Sequence, residues 1–126
     1  MSKGKILIVD DEMVGRQLLQ ALLIVEGYEP FLAKSGREAL ELVNQVHPDL
    51  ILMDIMMPDM NGYQTIKELK KDNKLKKTPV VIISALDDRD SKSRGLNVGA
   101  SDFISKPYES EKVLTIIKEH LPDHLK

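Results

Sequence analysis

Cysteine and tryptophan are absent from the sequence, and its aromatic residues are limited to three tyrosines and two phenylalanines. A chain without cysteine depends on no disulfide, zinc–thiolate site or nucleophilic thiol, which agrees with a reducing compartment, so we expect a cytoplasmic location. No apolar run approaches the roughly eighteen residues that a membrane span needs. The apolar stretch after the basic start ends at Asp10 and is too short for the core of a signal peptide. We therefore expect neither export nor contact with a membrane.

A dominant charge is also missing, because 18 lysines and arginines nearly balance 20 aspartates and glutamates. The net charge of −2 provides no general electrostatic attraction for nucleic acid. A local basic run contains no interleaved aromatic residues that could stack on bases; it comprises Lys70, Lys71, Lys74, Lys76 and Lys77. We interpret this run as a solvated helix end and loop and expect no direct nucleic-acid binding.

Length and apolar patterning predict one domain of the α/β class over residues 1–126. Apolar segments predict strands at 5–9, 29–33, 50–53, 79–83 and 102–105. Between the strands, apolar residues share helical faces: Val14, Leu18, Leu22 and Val25; Ala39, Leu42, Val43 and Val46; Val113, Ile116 and Ile117. Strands that alternate with helices imply right-handed crossovers, so we expect a doubly wound fold whose parallel sheet is covered on both faces.

The segment 87–97 is the weakest predicted helix. Ser91, Ser93, Gly95 and Asn97 lower its helix propensity, and few apolar residues hold one face against the body. We expect this element to move most readily. Pro122 is expected to end the last helix and to leave residues 123–126 as a short tail.

Polar side chains stand where four of the predicted strands end. Because the carboxyl ends of parallel strands meet at one edge of a sheet, these side chains should gather there. They are Asp10, Asp11, Asp54, Ser84 and Lys106. Three carboxylates, a hydroxyl and a lysine suit a divalent metal and a phosphoryl group.

Hard carboxylate oxygens select Mg²⁺, which keeps several waters. Asp10 and Asp11 could instead cap a helix N-terminus, and Asp54 could form a turn before Pro58. Close carboxylates repel one another unless a cation neutralises them, and this favours a shared metal. Asp54 could then attack phosphorus as a nucleophile and form an acyl phosphate.

The lysine and the hydroxyl fit the same chemistry. Lys106 precedes Pro107, which biases the lysine toward an extended conformation and away from a helix, and the bond between them could be cis or trans. At its strand end, Lys106 is expected to pair with the acids or with phosphate oxygens, although a plain surface lysine is the alternative. Ser84 could donate to a phosphoryl oxygen.

Other catalytic arrangements are not supported. No glycine-rich phosphate loop follows the first strand, where acidic residues would repel phosphate in the absence of metal. His47, His120 and His124 fall on helix ends and the tail, so we interpret them as solvated histidines and expect no Ser/His/Asp triad.

Several motifs together resemble the receiver domain of two-component response regulators, over about residues 5–121. They are Ile8-Val9-Asp10-Asp11-Glu12, Asp54-Ile55-Met56-Met57-Pro58-Asp59-Met60-Asn61-Gly62, Ile83-Ser84-Ala85, Gly99-Ala100-Ser101-Asp102-Phe103 and Lys106-Pro107-Tyr108. The resemblance implies a flavodoxin-like fold with strand order 2-1-3-4-5. Through this resemblance the chain is identified as a phosphoacceptor signalling module of bacterial type that turns over no separate substrate.

The resemblance further implies that Asp54 accepts phosphate from a histidine kinase or phosphotransfer protein. It implies that Mg²⁺, with Mn²⁺ as a substitute, is bound by Asp11, Asp54, the Met56 backbone carbonyl and, through water, Asp10. A downstream protein or a C-terminal output domain would read the signal, and phosphorylation could also drive homodimerisation.

The family's behaviour implies a switch formed by Ser84 and Phe103. Phosphate on Asp54 would draw the Ser84 hydroxyl and Lys106 toward it, and Phe103 would turn inward, although simple core filling is its alternative role. The surface of the fourth helix and fifth strand would then change for a partner. Met56 and Leu86 lie where the family tunes hydrolysis; apolar groups cannot orient water, so we predict a long-lived phosphoryl group.

Two other functions remain open. A haloacid-dehalogenase-type phosphatase also uses an aspartate and Mg²⁺, but it needs a DxD arrangement where this chain has Asp10-Asp11-Glu12. A degenerate receiver could act as a phosphate-independent interaction module. The sequence does not distinguish a stand-alone regulator from the receiver part of a longer protein.

Overall fold

The computed structural model describes residues 2–122 and 125, and it contains one parallel five-stranded sheet with strand order β2-β1-β3-β4-β5. The strands are β1 (Lys5–Val9), β2 (Glu29–Ala33), β3 (Leu50–Met53), β4 (Val80–Ser84) and β5 (Asp102–Ser105). The helices are α1 (Met13–Val25), α2 (Gly36–Val46), α3 (Gly62–Leu69), α4 (Arg89–Asn97) and α5 (Ser110–His120). The predicted flavodoxin-like fold is confirmed.

Side chains of each strand alternate between two hydrophobic cores, as the two-residue period of a strand requires. Leu7 and Val9 of β1 face a core that includes α2 and α3, whereas Ile6 and Ile8 face a core that includes α1 and α5. All four are essentially inaccessible to solvent. Burial on both faces explains why the strands are continuous apolar runs.

Side-chain caps mark where α2 and α3 begin. The Ser35 hydroxyl accepts a hydrogen bond from Glu38 N at 3.1 Å before α2. Asn61 and Gln64 form a reciprocal capping box at the start of α3. Such caps satisfy amide groups that have no partner within the helix, which fixes the boundaries that the sequence predicted only approximately.

Three boundary or packing predictions need correction. The fourth strand begins at Val80, one residue later than predicted, and it includes Ser84. Helix α4 begins at Arg89 and not at residue 87, because the Asp88 side chain caps it by accepting from Ser91 N at 3.2 Å. Lys70 is not a solvated lysine, since its half-buried ammonium donates to the carbonyls of a loop, those of Leu75, Lys76 and Thr78.

The largest departure concerns α1. The predicted apolar face is mostly turned away from the sheet. Leu19 and Leu23 are buried and Leu22 packs partly buried against the same core, whereas Val14, Leu18 and Val25 are 63%, 62% and 82% exposed. A helix with two apolar faces can bury only one of them against a single sheet. The other face of α1 therefore forms an exposed apolar stripe.

The tail expected at residues 123–126 lies mostly outside the described residues, as does His124. Over 2–122 and 125, no helix is both long enough and apolar enough to cross a bilayer.

Candidate functional site

The two buried acids of the site directly follow two adjacent inner strands, β1 and β3. Val9 and Met53 are partners in the register between β1 and β3. The ladder continues one step further, because Asp10 N donates to Ala33 O at 3.1 Å and Asp54 N donates to Val9 O at 2.9 Å. Extended pairing thus carries both carboxylates to the same edge of the sheet, as the sequence predicted.

Asp10, Asp11 and Asp54 each offer a carboxylate oxygen, and these atoms lie within 4.8 Å of one another. Asp10 and Asp54 are only 3% and 6% exposed, whereas Asp11 is open to solvent. The carboxylate of Asp10 is oriented by Glu12 N, which donates to it at 2.9 Å. We call these three acids the acid pocket; two of its carboxylates, those of Asp10 and Asp54, are buried and that of Asp11 is exposed.

Lys106 faces this acid pocket from the end of β5. Its Nζ lies 3.5 Å from Asp54 Oδ2 and 3.6 Å from Asp10 Oδ2. Lys106 N donates to Ser84 O at 2.9 Å, which extends the pairing of β4 and β5 and fixes the base of the side chain. The Lys106–Pro107 peptide bond is cis.

The acid pocket contains more negative than positive charge, and this affects the pKa values of its residues. Burial raises the pKa of Asp54 above its ordinary value, and the charge of Asp10 adds to the increase, while Lys106 opposes it. Burial alone would lower the pKa of Lys106, but the charges of Asp54 and Asp10 outweigh burial and raise it. Three acids and one lysine leave an excess of negative charge.

The donor set fits a hard divalent cation. All three acids present oxygen atoms, and Asp11 remains accessible. A dication would favour the ionised form of Asp54 and so oppose both burial and the charge of Asp10, which raise the pKa of that carboxyl. The backbone of Met56, the fourth predicted ligand, lies beside Asp54, since Met56 N donates to Asp54 Oδ1 at 3.3 Å. Assignment of these residues to Mg²⁺ stays a prediction.

Ser84 and Phe103, the predicted switch residues, lie on neighbouring strands. Ser84 is fully buried at the end of β4, and its Oγ accepts from Leu86 N at 3.1 Å. Phe103 is half-buried in β5 and packs against the core below α4, and Lys92 Nζ lies 6.0 Å from its ring. The predicted roles of Ser84 and Phe103 in switching stay predictions.

Two glycines shape the acid pocket, and the sequence did not reveal this role. A Cβ on Gly62 would lie 2.4 Å from Asp54 O and 2.7 Å from Ile55 Cα, so only glycine lets α3 begin here. A Cβ on Gly15 would lie 2.6 Å from Asp10 Oδ2. Helical position alone gives no signal for such contacts, because the opposing atoms come from other parts of the fold.

An open cavity of about 620 Å³ adjoins the acid pocket between α1 and the start of α5. The residues that line it include Asp10, Lys106, Leu18 and Tyr108. The exposed stripe of α1 borders this cavity. A protein that covers the stripe would consequently stand next to the acids.

The histidines need one correction. His47 is exposed at the end of α2, as expected, but His120 is half-buried and its Nε2 lies 2.9 Å from Asp102 Oδ2. His120 therefore pairs with an acid and is not simply solvated. Neither residue approaches the acid pocket closely enough to make a hydrogen bond or ion pair identified among the described residues.

The chain is similar to known proteins in both sequence and structure. A family model described as "Response regulator receiver domain" matches residues 6–118. Protein PilG of Pseudomonas aeruginosa is 36% identical over 118 residues, which cover 94% of this chain and 87% of PilG. The structure of the chemotaxis protein CheY4 of Vibrio cholerae has a TM-score of 0.90 and 32% identity, covering 96% of this chain and 99% of CheY4.

Other relatives are longer. Response regulator PleD of Caulobacter vibrioides is 44% identical over 106 residues, which cover 84% of this chain and 23% of PleD. "Probable transcriptional regulator ycf27" of Porphyridium aerugineum is 36% identical over 96% of this chain and 49% of its own length. The chain thus spans about half the length, or less, of several curated relatives that it matches.

Proposed function

The chain belongs to the response regulator receiver domain family, and we propose that Asp54 accepts a phosphoryl group in a reaction that depends on Mg²⁺. The observation that supports this proposal is the meeting of three acids from two strand ends with Lys106 opposite them. A structural salt bridge would need one acid, not three. The surplus of acid is the feature that calls for a dication and a phosphoryl group.

Each residue then has a part in the transfer. An ionised oxygen of Asp54 attacks phosphorus, and the bond from phosphorus to the donor nitrogen breaks with its electron pair remaining on the donor. Lys106 lies within reach of the oxygens of the new acyl phosphate and would balance their charge. Asp11, Asp54, the Met56 carbonyl and, through water, Asp10 would hold Mg²⁺ or Mn²⁺, which would neutralise charge on the transferring phosphoryl group.

The exposed apolar residues of α1 favour a protein as the donor of the phosphoryl group. Val14, Leu18 and Val25 form an exposed apolar stripe that leads to the cavity beside Asp10 and Lys106. Large apolar side chains exposed together on one helix face are typical of protein–protein contact sites. We assign the stripe to the histidine kinase or phosphotransfer protein, whose phosphohistidine would be brought to Asp54.

The signal is proposed to leave through α4 and β5. Helix α4 buries only Gly95 and is tied to the body by few groups, so it can shift at low cost. Phosphate on Asp54 would attract the Ser84 hydroxyl and allow Phe103 to turn inward. A downstream protein, an output domain or a second phosphorylated copy would read the changed surface.

Intact mass measurement with acetyl phosphate and Mg²⁺ tests the proposal. We expect one added phosphoryl group on the wild type, none on Asp54→Asn, and none when Mg²⁺ is removed by a chelator. Asp59→Asn is the matched control, because Asp59 is an exposed acid of the next loop whose positive φ asparagine tolerates.

The alternatives give different results in the same assay. A phosphatase would hydrolyse a phosphomonoester continuously, whereas the proposed module would turn over no separate substrate. A degenerate receiver would show no adduct on Asp54 under any donor or metal condition. Either result would end the proposal.

A further inference from the structure

A second group of metal-ligating side chains lies at the opposite end of the sheet from the acid pocket. Asp102, Glu119 and His120 each offer one ligand atom, and these atoms lie within 4.8 Å of one another. Asp102 begins β5, whereas Lys106 follows its end, so roughly 13 Å of strand separates the two. This group has no part in the proposed phosphoryl transfer.

The group forms because the helix that follows β5 runs back toward the start of that strand. Helix α5 runs back along the sheet from the carboxyl end of β5, so its last residue, His120, arrives beside the first residue of that strand. Asp102 Oδ1 accepts from Phe103 N at 2.8 Å, which orients the carboxylate and turns Oδ2 toward His120 Nε2 at 2.9 Å. The Asp102 carboxylate is therefore oriented by a contact from outside the group, and it in turn positions the His120 imidazole.

We propose that Asp102, Glu119 and His120 bind a transition-metal dication, with Zn²⁺ as the representative ion. Tetrahedral ligands about 2.0–2.1 Å from zinc are about 3.3 Å apart. The separation of 2.9 Å between Asp102 Oδ2 and His120 Nε2 needs only a small opening to admit an ion between them. One imidazole, two carboxylates and a water would complete the coordination.

The donor chemistry separates this site from the acid pocket. An imidazole nitrogen favours zinc, copper or nickel ions, whereas an all-oxygen pocket suits Mg²⁺. Binding requires the lone pair of Nε2, so any proton there moves to Nδ1 or to solvent. The ion would then connect the last turn of α5 to the start of β5, next to Phe103.

Titration calorimetry with Zn²⁺ tests the proposal, using the full chain with Asp11→Asn and Asp54→Asn to disable the acid pocket. We expect one bound ion and a rise in the unfolding temperature. In this background, His120→Gln and Asp102→Asn should each weaken zinc binding by at least about tenfold. Removing a residue that only hydrogen-bonds to a metal ligand already lowers metal affinity by about that factor. His47→Asn is the control and should leave affinity unchanged.

Nuclear magnetic resonance locates the ion independently of affinity. Shifts on zinc addition should concentrate on the His120 ring and on the Phe103 amide, which is bonded to Asp102. Circular dichroism confirms that the variants fold. The proposal is overturned if His120→Gln binds zinc as tightly as its parent, or if His124→Gln, and not His120→Gln, removes binding.

Discussion

Replacing Gly62 with alanine should damage both stability and phosphoryl transfer. The added Cβ would lie 2.4 Å from Asp54 O, about 1.0 Å closer than the 3.4 Å at which ordinary contacts begin. Both nearby groups, Asp54 O and Ile55 Cα, belong to the backbone and cannot rotate away. Relief therefore requires movement of the segment that carries the Asp54 carboxylate.

The size of the effect follows from two opposing contributions. Overpacking of a buried position costs about 1–3 kcal/mol, while alanine recovers at most about 1 kcal/mol of helix propensity relative to glycine. We expect the free energy of unfolding of Gly62→Ala to fall by roughly 1–2 kcal/mol. A displacement of about 1 Å at reacting atoms can lower a rate about 100-fold, so phosphorylation should slow by that order.

Gly95→Ala is the matched control. Its Cβ would lie 2.6 Å from Ile82 Cδ1, the tip of a flexible side chain that can rotate aside. Urea unfolding and the rate of adduct formation with acetyl phosphate should be measured for both variants. Equal stability and equal phosphorylation rates for Gly62→Ala and Gly95→Ala would refute the argument that a clash with backbone atoms is more damaging than a clash with a side chain that can rotate.

Three further predictions concern charge, donor and lifetime. Asp54→Asn should be more stable than wild type at neutral pH, because burial and the charge of Asp10 raise the pKa of Asp54 in the folded protein. A folded-state pKa above the unfolded value means that the stability of the wild type falls as the pH rises from the unfolded pKa through the folded pKa. The advantage of Asp54→Asn should therefore vanish in acid, which urea unfolding at several pH values would measure. Leu18→Ser should reduce transfer from a phosphohistidine protein by about tenfold, the scale of losing an apolar anchor, and leave the acetyl phosphate rate unchanged; equal losses with both donors would contradict the docking role of α1. Met56→Asn combined with Leu86→Glu should speed hydrolysis of the phosphoryl group by about tenfold or more, since polar groups can orient water, and an unchanged decay of the adduct would contradict the predicted long lifetime.

The sheet and the meeting of the acids could be predicted because both follow from short-range rules. Continuous apolar strands indicate burial on two faces, and residues after the ends of adjacent parallel strands must be neighbours. Asp10 and Asp54 were therefore brought together by register alone. Their burial and the position of Lys106 follow from the same strand-end geometry.

The face of α1 could not be predicted by periodicity. Both Leu19 with Leu23 and Val14 with Leu18 satisfy helical spacing, and the pattern contains no information about which pair meets the sheet. The pairing of His120 with Asp102 was missed for a related reason, since the two residues are 18 positions apart and meet only after α5 has packed. The contacts of Gly62 and Gly15 likewise depend on the assembled fold.

The geometry around Lys106 explains how a small chemical change could shift this structure. Its ammonium lies at 3.5 Å and 3.6 Å from two carboxylates, longer than the roughly 2.7–2.9 Å of a tight charged hydrogen bond. Lys106 is thus shared between Asp54 and Asp10 and not committed to either. A phosphoryl group on Asp54 would add charge on one side and end that balance.

The neighbouring element is equally weakly held. Helix α4 is attached through buried Gly95 and through Tyr63, whose hydroxyl donates to Ser91 O at 3.0 Å and whose ring lies 4.3 Å from Arg94. Lys92 adds a contact with the Phe103 ring at 6.0 Å. These are few contacts for a whole helix, and exposed ones contribute little each. If Asp54 is phosphorylated as we propose, the change in charge at the strand ends would occur beside this loosely attached helix. The local reaction would then shift the population of α4 positions and so change a distant surface.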